Sequence, residues 1–350
     1  MSTALPPVRT GGPVHVPSDY AALSRQVKDA GLMGRRPGYY TAKIAINGLL
    51  FTAGWAVFFV LGNSWWQLLV AAYIAVMFTQ IAFIGHDAGH KQIFRTRRAS
   101  YVLGLLHGNL AVGLSYGWWV DKHNRHHANP NHEEKDPDIG GNALAYTPGQ
   151  ADARRGLGRL LGRAQAYLFF PMLLLEGMHL HVASIRALVG RTKPHRRRWL
   201  EAGVLAAHLG AYLAALFLVL SPGLAVAFIA VHQGLFGLYM GLSFAPNHKG
   251  MPVFGPDDDV DYLRRQVLTS RNVRGNRFTD LLLGGLNYQI EHHLFSSMPR
   301  PNLRHARLVV RRFCAERGVS YAETSLADSY AQVIKHLYAV GAPLRGPIGE

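Results

Sequence analysis

A chain of 350 residues is long enough for one large domain or two small ones, and this one combines 49% hydrophobic residues and a mean hydropathy of +0.05 with a net charge of +16. Charge and apolar residues are kept apart: residues 44–85 and 202–244 contain no Lys, Arg, Asp or Glu, and each stretch is about twice the ~20 apolar residues that cross a hydrocarbon core. An ordinary soluble fold is thereby excluded, and the single cysteine, Cys314, excludes an internal disulfide or a thiolate cluster for zinc or iron–sulfur.

The N-terminal segment MSTALPPVRTGGPVHVPSDY is polar and rich in Pro and Gly, with no apolar run of the kind a secretory signal needs. Residues 1–43 read as a cytosolic arm, flexible or lying on a surface. The first charge-free stretch is interrupted at Gly62-Asn63-Ser64, which predicts two spans at about 44–61 and 65–85. Residues 101–119 and 164–189 are apolar but broken, by Gly104, His107, Gly108 and Asn109 in the one and by Pro171, Glu176, His179 and His181 in the other. They read as interfacial or re-entrant helices. The second charge-free stretch breaks at Ser221-Pro222-Gly223, giving spans at about 200–220 and 224–244. Trp65, Trp66 and Trp199 stand at span ends, where aromatic belts sit. The expected fold is an all-α membrane protein with four transmembrane helices in two hairpins, interfacial helices and a cytosolic helical cap. Its main domain would cover residues 44–340, with a tail at 341–350.

The 37 Lys and Arg fall as 6 in residues 1–43, 17 in 86–198 and 14 in 245–350, with none at the hairpin tips. Under the positive-inside rule the three basic segments and both termini are cytosolic. On a membrane protein this charge fits anionic lipid headgroups and an acidic partner protein rather than nucleic acid. The Ala/Arg/Gly-rich composition points to a GC-rich bacterium, hence a plasma membrane.

Three histidine clusters follow: His86-Asp87-Ala88-Gly89-His90, His123-Asn124-Arg125-His126-His127 and Gln289-Ile290-Glu291-His292-His293. Residues four apart share a helix face, so His86 pairs with His90 and His123 with His127, with His126 on the adjoining side. Without a metal such crowding is costly, because clustered imidazoles repel when protonated and leave nitrogens unpaired when buried. Single histidines carry a blander reading. His107, His208 and His232 are read as hydrogen-bonded or headgroup-contacting, His179 and His181 as structural or supporting, and His15, His195, His305 and His336 as surface residues. The clusters supply seven imidazoles, and His248, after the fourth span, could be an eighth. A tetrahedral zinc site takes four protein ligands at most, so eight suggest two metals with room for oxygen or water. Imidazole suits iron, zinc and copper alike, and HExxH, the commonest zinc-hydrolase signature, is absent. Asp87, Asp136, Asp138 and Glu291 could fix the tautomers of ligand histidines, although Asp136-Pro137-Asp138 also reads simply as a turn.

The set HDAGH, HNRHH and QIEHH around two apolar hairpins resembles the membrane fatty acid desaturase family, as do HHANPNHEEKDPDI, FAPNHKG and HHLFSSMPRPNL; the likeness covers about residues 20–340. The resemblance implies two non-haem irons held by His86, His90, His123, His126, His127, His248, His292 and His293, with O2 as co-substrate. The place where many members carry a water-linked asparagine, one turn before His248, is Phe244 here. Asn247 is therefore a candidate for a water-mediated or supporting role. Gln289 opens the third box where many members have His, as in front-end and related acyl-lipid enzymes. Either it coordinates weakly, or it holds a water, or it supports the cage from outside. The implied substrate is an acyl-lipid or acyl-thioester. There is no GxGxxG nucleotide fingerprint and no HPGG haem motif of a fused cytochrome b5 domain, so electrons are expected from a separate ferredoxin or cytochrome b5 with its reductase. Trp118, Trp119 and Tyr288 are candidates to line an acyl tunnel. Competing readings are a hydroxylase of the same di-iron class, a membrane zinc hydrolase and a metal transporter. The last needs polar groups at mid-membrane, for which His208 and His232 offer little.

Overall fold

The computed structural model describes residues 18–140, 143–190 and 197–345. The arm up to residue 17 with His15, the pair His195 and Arg196, and the tail from residue 346 lie outside the described residues. Among the described residues the regular structure is helical except for one small parallel pair of strands and an isolated bridge between His132 and Phe254.

Helix α1 (Asp19–Asp29), capped by the Ser18 hydroxyl, belongs to the stretch the sequence reads as an arm, yet its Leu23 and Val27 are fully buried. Next come α2 (Pro37–Leu61) and α3 (Gln67–Gly89), the first hairpin. Gly62, at φ +59°, ends α2. The Gln67 side-chain amide then donates to the Phe58 and Gly62 carbonyls at 2.7 and 2.8 Å, closing groups that the helix end leaves open. Helix α4 (Arg97–Gly104) runs directly into a π-helix, Leu105–Val112, followed by α5 (Tyr116–Ala128). The short α6 (Pro148–Asp152) and α7 (Gly156–Arg163) lead to α8 (Gln165–Leu173) and α9 (Glu176–Val189), which meet at a 73° bend. The second hairpin is α10 (Arg198–Val219) and α11 (Pro222–His248), with Pro222 in the first turn, where its missing N–H has no partner to lose. Asn63 Oδ1 accepts from the Ser221 amide at 2.9 Å, so the tips of the two hairpins lie together.

Four helices, α2, α3, α10 and α11, are long and apolar enough to cross a membrane, or five if the bent α8–α9 pair is one span. This is an all-α membrane protein. Within the bundle α3 and α11 form the inner pair, with 67% and 44% of their spanning windows buried against 17% and 22% for α2 and α10. Phe58, Ile74, Phe78, Leu216, Phe228 and Phe236 pack the interior, while Leu49, Phe59, Val60 and Leu218 face outward as lipid-facing residues do. Both inner helices run past the charge-free limits. Helix α3 continues through His86 and Asp87 to Gly89, and α11 through Asn247 to His248. The sequence placed the first box directly after one span and His248 just past another. The helices extend because these polar residues are buried inside the protein, where Asp87, Asn247 and His248 find hydrogen-bond partners.

The π-helix lies against α3 and α10, and its C-terminal carbonyls would be orphaned in an apolar setting. His208 Nδ1–H donates to the Leu110 carbonyl and His181 Nδ1–H to that of Gly113, each at 2.8 Å. His107 bonds Leu103 one turn back and His232 bonds the Tyr212 hydroxyl, so these histidines have the structural roles that single residues were expected to have. Gly113 sits at φ +80°, and a Cβ there would lie 2.5 Å from the His208 ring and 3.1 Å from that of His181. Gly113→Ala is expected to lower unfolding stability by roughly 2–4 kcal/mol through backbone strain and overpacking, which thermal unfolding in detergent would measure.

The cap follows α11. Helices α12 (Tyr262–Leu268), α14 (Gln289–Leu294) and α15 (Arg300–Glu316) gather with α1 around Val267, Ile290, Met298, Val310 and Phe313, while the short α13 (Arg277–Leu282) buries no residue. Strand β1 (Asn272–Val273) pairs in parallel with β2 (Glu323–Thr324), and α16 (Leu326–Val340) packs on α8 and α11 through Val333 and Leu337. The chain thus returns to the box end of the bundle and covers it.

Candidate metal centre

Each box sits where a helix ends at that covered face. His86 and His90 occupy the last turn and C-cap of α3, His123, His126 and His127 the second half of α5, His248 the last residue of α11, and His292 and His293 the short buried α14. All eight predicted histidines converge. One ligating nitrogen from each of His86, His90, His123 and His292 fits within 4.8 Å of the others, and the same holds for His126, His248 and His293. His127 lies between the sets, with ring centroids 4.5 Å from His90, 4.7 Å from His292 and 4.1 Å from His293.

The supporting bonds set the tautomers. His126 Nδ1–H donates to the Asp136 carboxylate at 3.0 Å, His248 Nδ1–H to the Thr269 carbonyl at 2.9 Å, His293 Nδ1–H to Gln266 Oε1 at 3.0 Å, and His86 Nδ1–H to Asp87 Oδ1 at 3.3 Å. In each case the lone pair is left on Nε2, the usual arrangement of metal-bound imidazole, although that of His248 has Gln289 Nε2 at 2.8 Å. His86, His292 and His293 have a buried Nε2 without a hydrogen-bond partner, and His127 a buried Nδ1. His123 Nε2 lies 2.9 Å from His90 Nε2 and 3.1 Å from His127 Nε2, a meeting of nitrogens that too few protons can satisfy. Burial first, and then the neighbouring imidazoles, hold His90, His123, His127, His292 and His293 well below the ordinary histidine range. Neutral convergent lone pairs, unsatisfied by the protein, fit cations at two adjacent positions.

His126 differs. Burial disfavours its charge, but Asp136 and Asp138 outweigh that and raise its pKa. Asp136 does more than shape a turn, because it also accepts the amides of Asn131 and Asp138, each at 2.8 Å. Asp138 pairs instead with Lys122 and stands 3.5 Å from His126. Glu291 bonds no ligand histidine. It accepts from Asn272 at 2.7 Å and Tyr321 at 2.8 Å, and burial pushes its carboxyl up to about 7. Asp136→Asn is expected to weaken metal retention about 10- to 100-fold, measured by chelator challenge at unchanged helix content.

Gln289 and Asn247 belong to the second set. Gln289 Nε2 lies 2.8 Å from His248 Nε2, and Asn247 Nδ2 donates to Gln289 Oε1 at 3.3 Å. Trp119 stacks on His123 at 4.5 Å and lies 5.5 Å from His86, a wall of the cage. Trp118 is half-buried on the same helix, and Tyr288 packs in the cap core with its hydroxyl facing Arg304. Sequence reasoning missed Gln266 and Thr269, which orient His293 and His248, and Glu201, which sets the start of α5. The buried Glu201 carboxyl accepts from Ser115 Oγ at 2.8 Å, the Gly117 amide at 3.0 Å and the Tyr101 hydroxyl at 3.1 Å, while its backbone carbonyl accepts from Asn109 at 3.3 Å. None of these stands at a telling spacing, so no sequence signal could have found them.

With this geometry in hand, the comparisons with known proteins are specific. The family model described as fatty acid desaturase matches residues 63–325. The chain is 32% identical over 314 residues to an acyl-lipid (9-3)-desaturase of Physcomitrium patens, covering 86% of this chain and 58% of that protein. It is 29% identical to a Delta(6)-fatty-acid desaturase of Caenorhabditis elegans and 28% identical to a Delta(8)-fatty-acid desaturase of Helianthus annuus. Those matches cover 91% of this chain in both cases, and 74% and 72% of the relatives. The chain therefore spans about three fifths of the moss protein's length and nearly three quarters of the other two.

Proposed function

Because this chain belongs to the fatty acid desaturase family, we propose that it introduces a double bond into a fatty acyl chain, using O2 and electrons from an external donor. The observation that carries this reading is the convergence of eight imidazoles into two adjacent sets at the box end of the inner spans. His86, His90, His123 and His292 would hold one iron and His126, His248 and His293 the other, with His127 between them. Bound iron would supply the O2-dependent removal of hydrogen from unactivated methylenes, which no side-chain acid or base can perform.

The chain's own residues do the rest. Asp87, Asp136, Gln266 and the Thr269 carbonyl hold His86, His126, His293 and His248 with Nε2 inward. Trp119 on one side and the buried α14 on the other exclude water from the cage. Gln289 and Asn247 act beside His248 as a hydrogen-bonding pair. The box end and both termini face the cytosol, in keeping with the basic segments, and a ferredoxin or cytochrome b5 with its reductase delivers electrons there.

The test is fatty-acid profiling by gas chromatography–mass spectrometry in a host of simple lipid composition, with a ferredoxin–reductase pair supplied. A new unsaturated acyl species supports the proposal and locates the double bond. A hydroxylated product would move the activity to the sister class. Turnover that proceeds without O2, with zinc bound, would overturn the di-iron reading.

A further inference from the structure

Beside the cage, at the box end of α2 and α3, lies a second group of polar residues, joined to the cage through Asp87. Arg300, the first residue of α15, is only 6% exposed. Its Nη2 pairs with Asp87 Oδ2 at 2.7 Å and donates to the Phe83 carbonyl at 2.8 Å, while Nε and Nη1 are buried with no partner. Lys43, on α2, is 9% exposed, and its one hydrogen bond is a long one, 3.3 Å to Gln80 Oε1. Tyr40, three residues before Lys43 on the same helix face, accepts the Arg300 amide at 3.1 Å, so the two cations belong to one cluster. Tyr39 stands at its edge, 37% exposed.

The charges do not balance. Two cations face one carboxylate, and that carboxylate also accepts from His86. The buried guanidinium has two N–H groups without a well-formed hydrogen bond, with the Tyr39 hydroxyl beside it, and that is costly unless something accepts from them. A guanidinium and an ammonium in one cluster suit an oxyanion, which takes charge-assisted bonds from both. Lys43 lies six residues into α2, about 9 Å along its axis, the depth of a membrane interface rather than its centre.

We propose that Lys43 and Arg300 form an anion site for the head group of the acyl substrate, taking the phosphate of a glycerolipid or of an acyl-thioester carrier. This rests on the desaturase reading and adds the anchor that fixes the acyl chain beside His86.

The test is binding to the purified full chain in neutral detergent, read as the shift of the thermal unfolding midpoint with ligand concentration. The probes are phosphatidylglycerol, diacylglycerol with the same acyl chains, and an acyl-coenzyme A. Wild type should bind one phosphate-bearing probe about tenfold or more tightly than diacylglycerol, and Lys43→Met should bring that ratio towards one. Preference for phosphatidylglycerol identifies a glycerolipid head, and preference for acyl-coenzyme A a thioester carrier. Arg311→Ser/Arg312→Ser, on the exposed face of α15, should leave the ratio unchanged. Equal binding of all three probes by wild type, a ratio that survives Lys43→Met, or a ratio lost equally in the α15 variant overturns the proposal. Failure of desaturation itself would appear only in product profiling, so the two readings fail separately.

Discussion

Replacing His126 with alanine is expected to abolish unsaturated product and to strip bound iron from the protein. The loss should exceed the roughly 10- to 100-fold typical of a partner that merely supports a ligand. His126 can serve with His248 and His293, and it also lies within ligand reach of Asp136 and Asp138. Removing its ring takes one nitrogen from the second set and leaves the buried Asp136 carboxylate with only the Asn131 and Asp138 amides. A buried charge that loses a partner costs free energy, so part of the effect will be on folding. His126→Gln, which keeps a polar group facing Asp136, separates the two losses: helix content by circular dichroism should recover, and iron and product should not. Iron at wild-type stoichiometry with normal product in either variant would remove His126 from the cage.

The second large effect concerns Glu201, far from the boxes in sequence. Its carboxyl receives three bonds, from Ser115, Gly117 and Tyr101, at the point where the chain leaves the π-helix and begins α5. An acidic group at a helix start accepts from free amides there, and this one joins the start of α5 to the first turn of α10. Glu201→Leu should cost roughly 3–5 kcal/mol, since it leaves three donors unpaired in a buried place. Glu201→Gln keeps one acceptor oxygen and should cost less than half of that. Because α5 carries His123, His126 and His127, the leucine variant should also lose iron in proportion to its loss of structure. Unfolding of Glu201→Leu within 1 °C of wild type would show that α5 is held by other means.

Much of this design can be read along the chain, because its two strongest signals are local. A charge-free run of forty residues can only be buried or in lipid, and imidazoles four apart can only share a helix face. Those signals locate the four spans and the pairs His86/His90 and His123/His127; His126, His292 and His293 follow from clustering, and His248 from its place after the fourth span and the family resemblance. They misplace the ends of α3 and α11, because absence of charge is a poor marker of an end where polar residues are paired inside the protein. They are silent on Glu201, Gln266 and Arg300, whose partners lie 84, 27 and 213 positions away in the chain. A single acidic or basic residue without periodic company carries no address. The bend between α8 and α9 is similarly hidden: Pro171 marks an irregularity, but the 73° angle comes from packing against α11 and α16.

The dispersal of the imidazoles from His86 to His293 has a bearing on how the protein is made. Each helical hairpin needs only its own neighbours and can form as soon as it enters the bilayer. The cage cannot, because α14 must be synthesised and folded back onto α3, α5 and α11 before the nitrogens meet. Closing so long a loop is unfavourable until burial of Ile290 and Leu294 in the cap core, together with any metal the cage takes, rewards it. On the di-iron proposal, iron would meet a finished, membrane-inserted polypeptide rather than a nascent one. Metal-free protein would then be fully inserted with a less stable cap, a form more open to proteolysis at the box end.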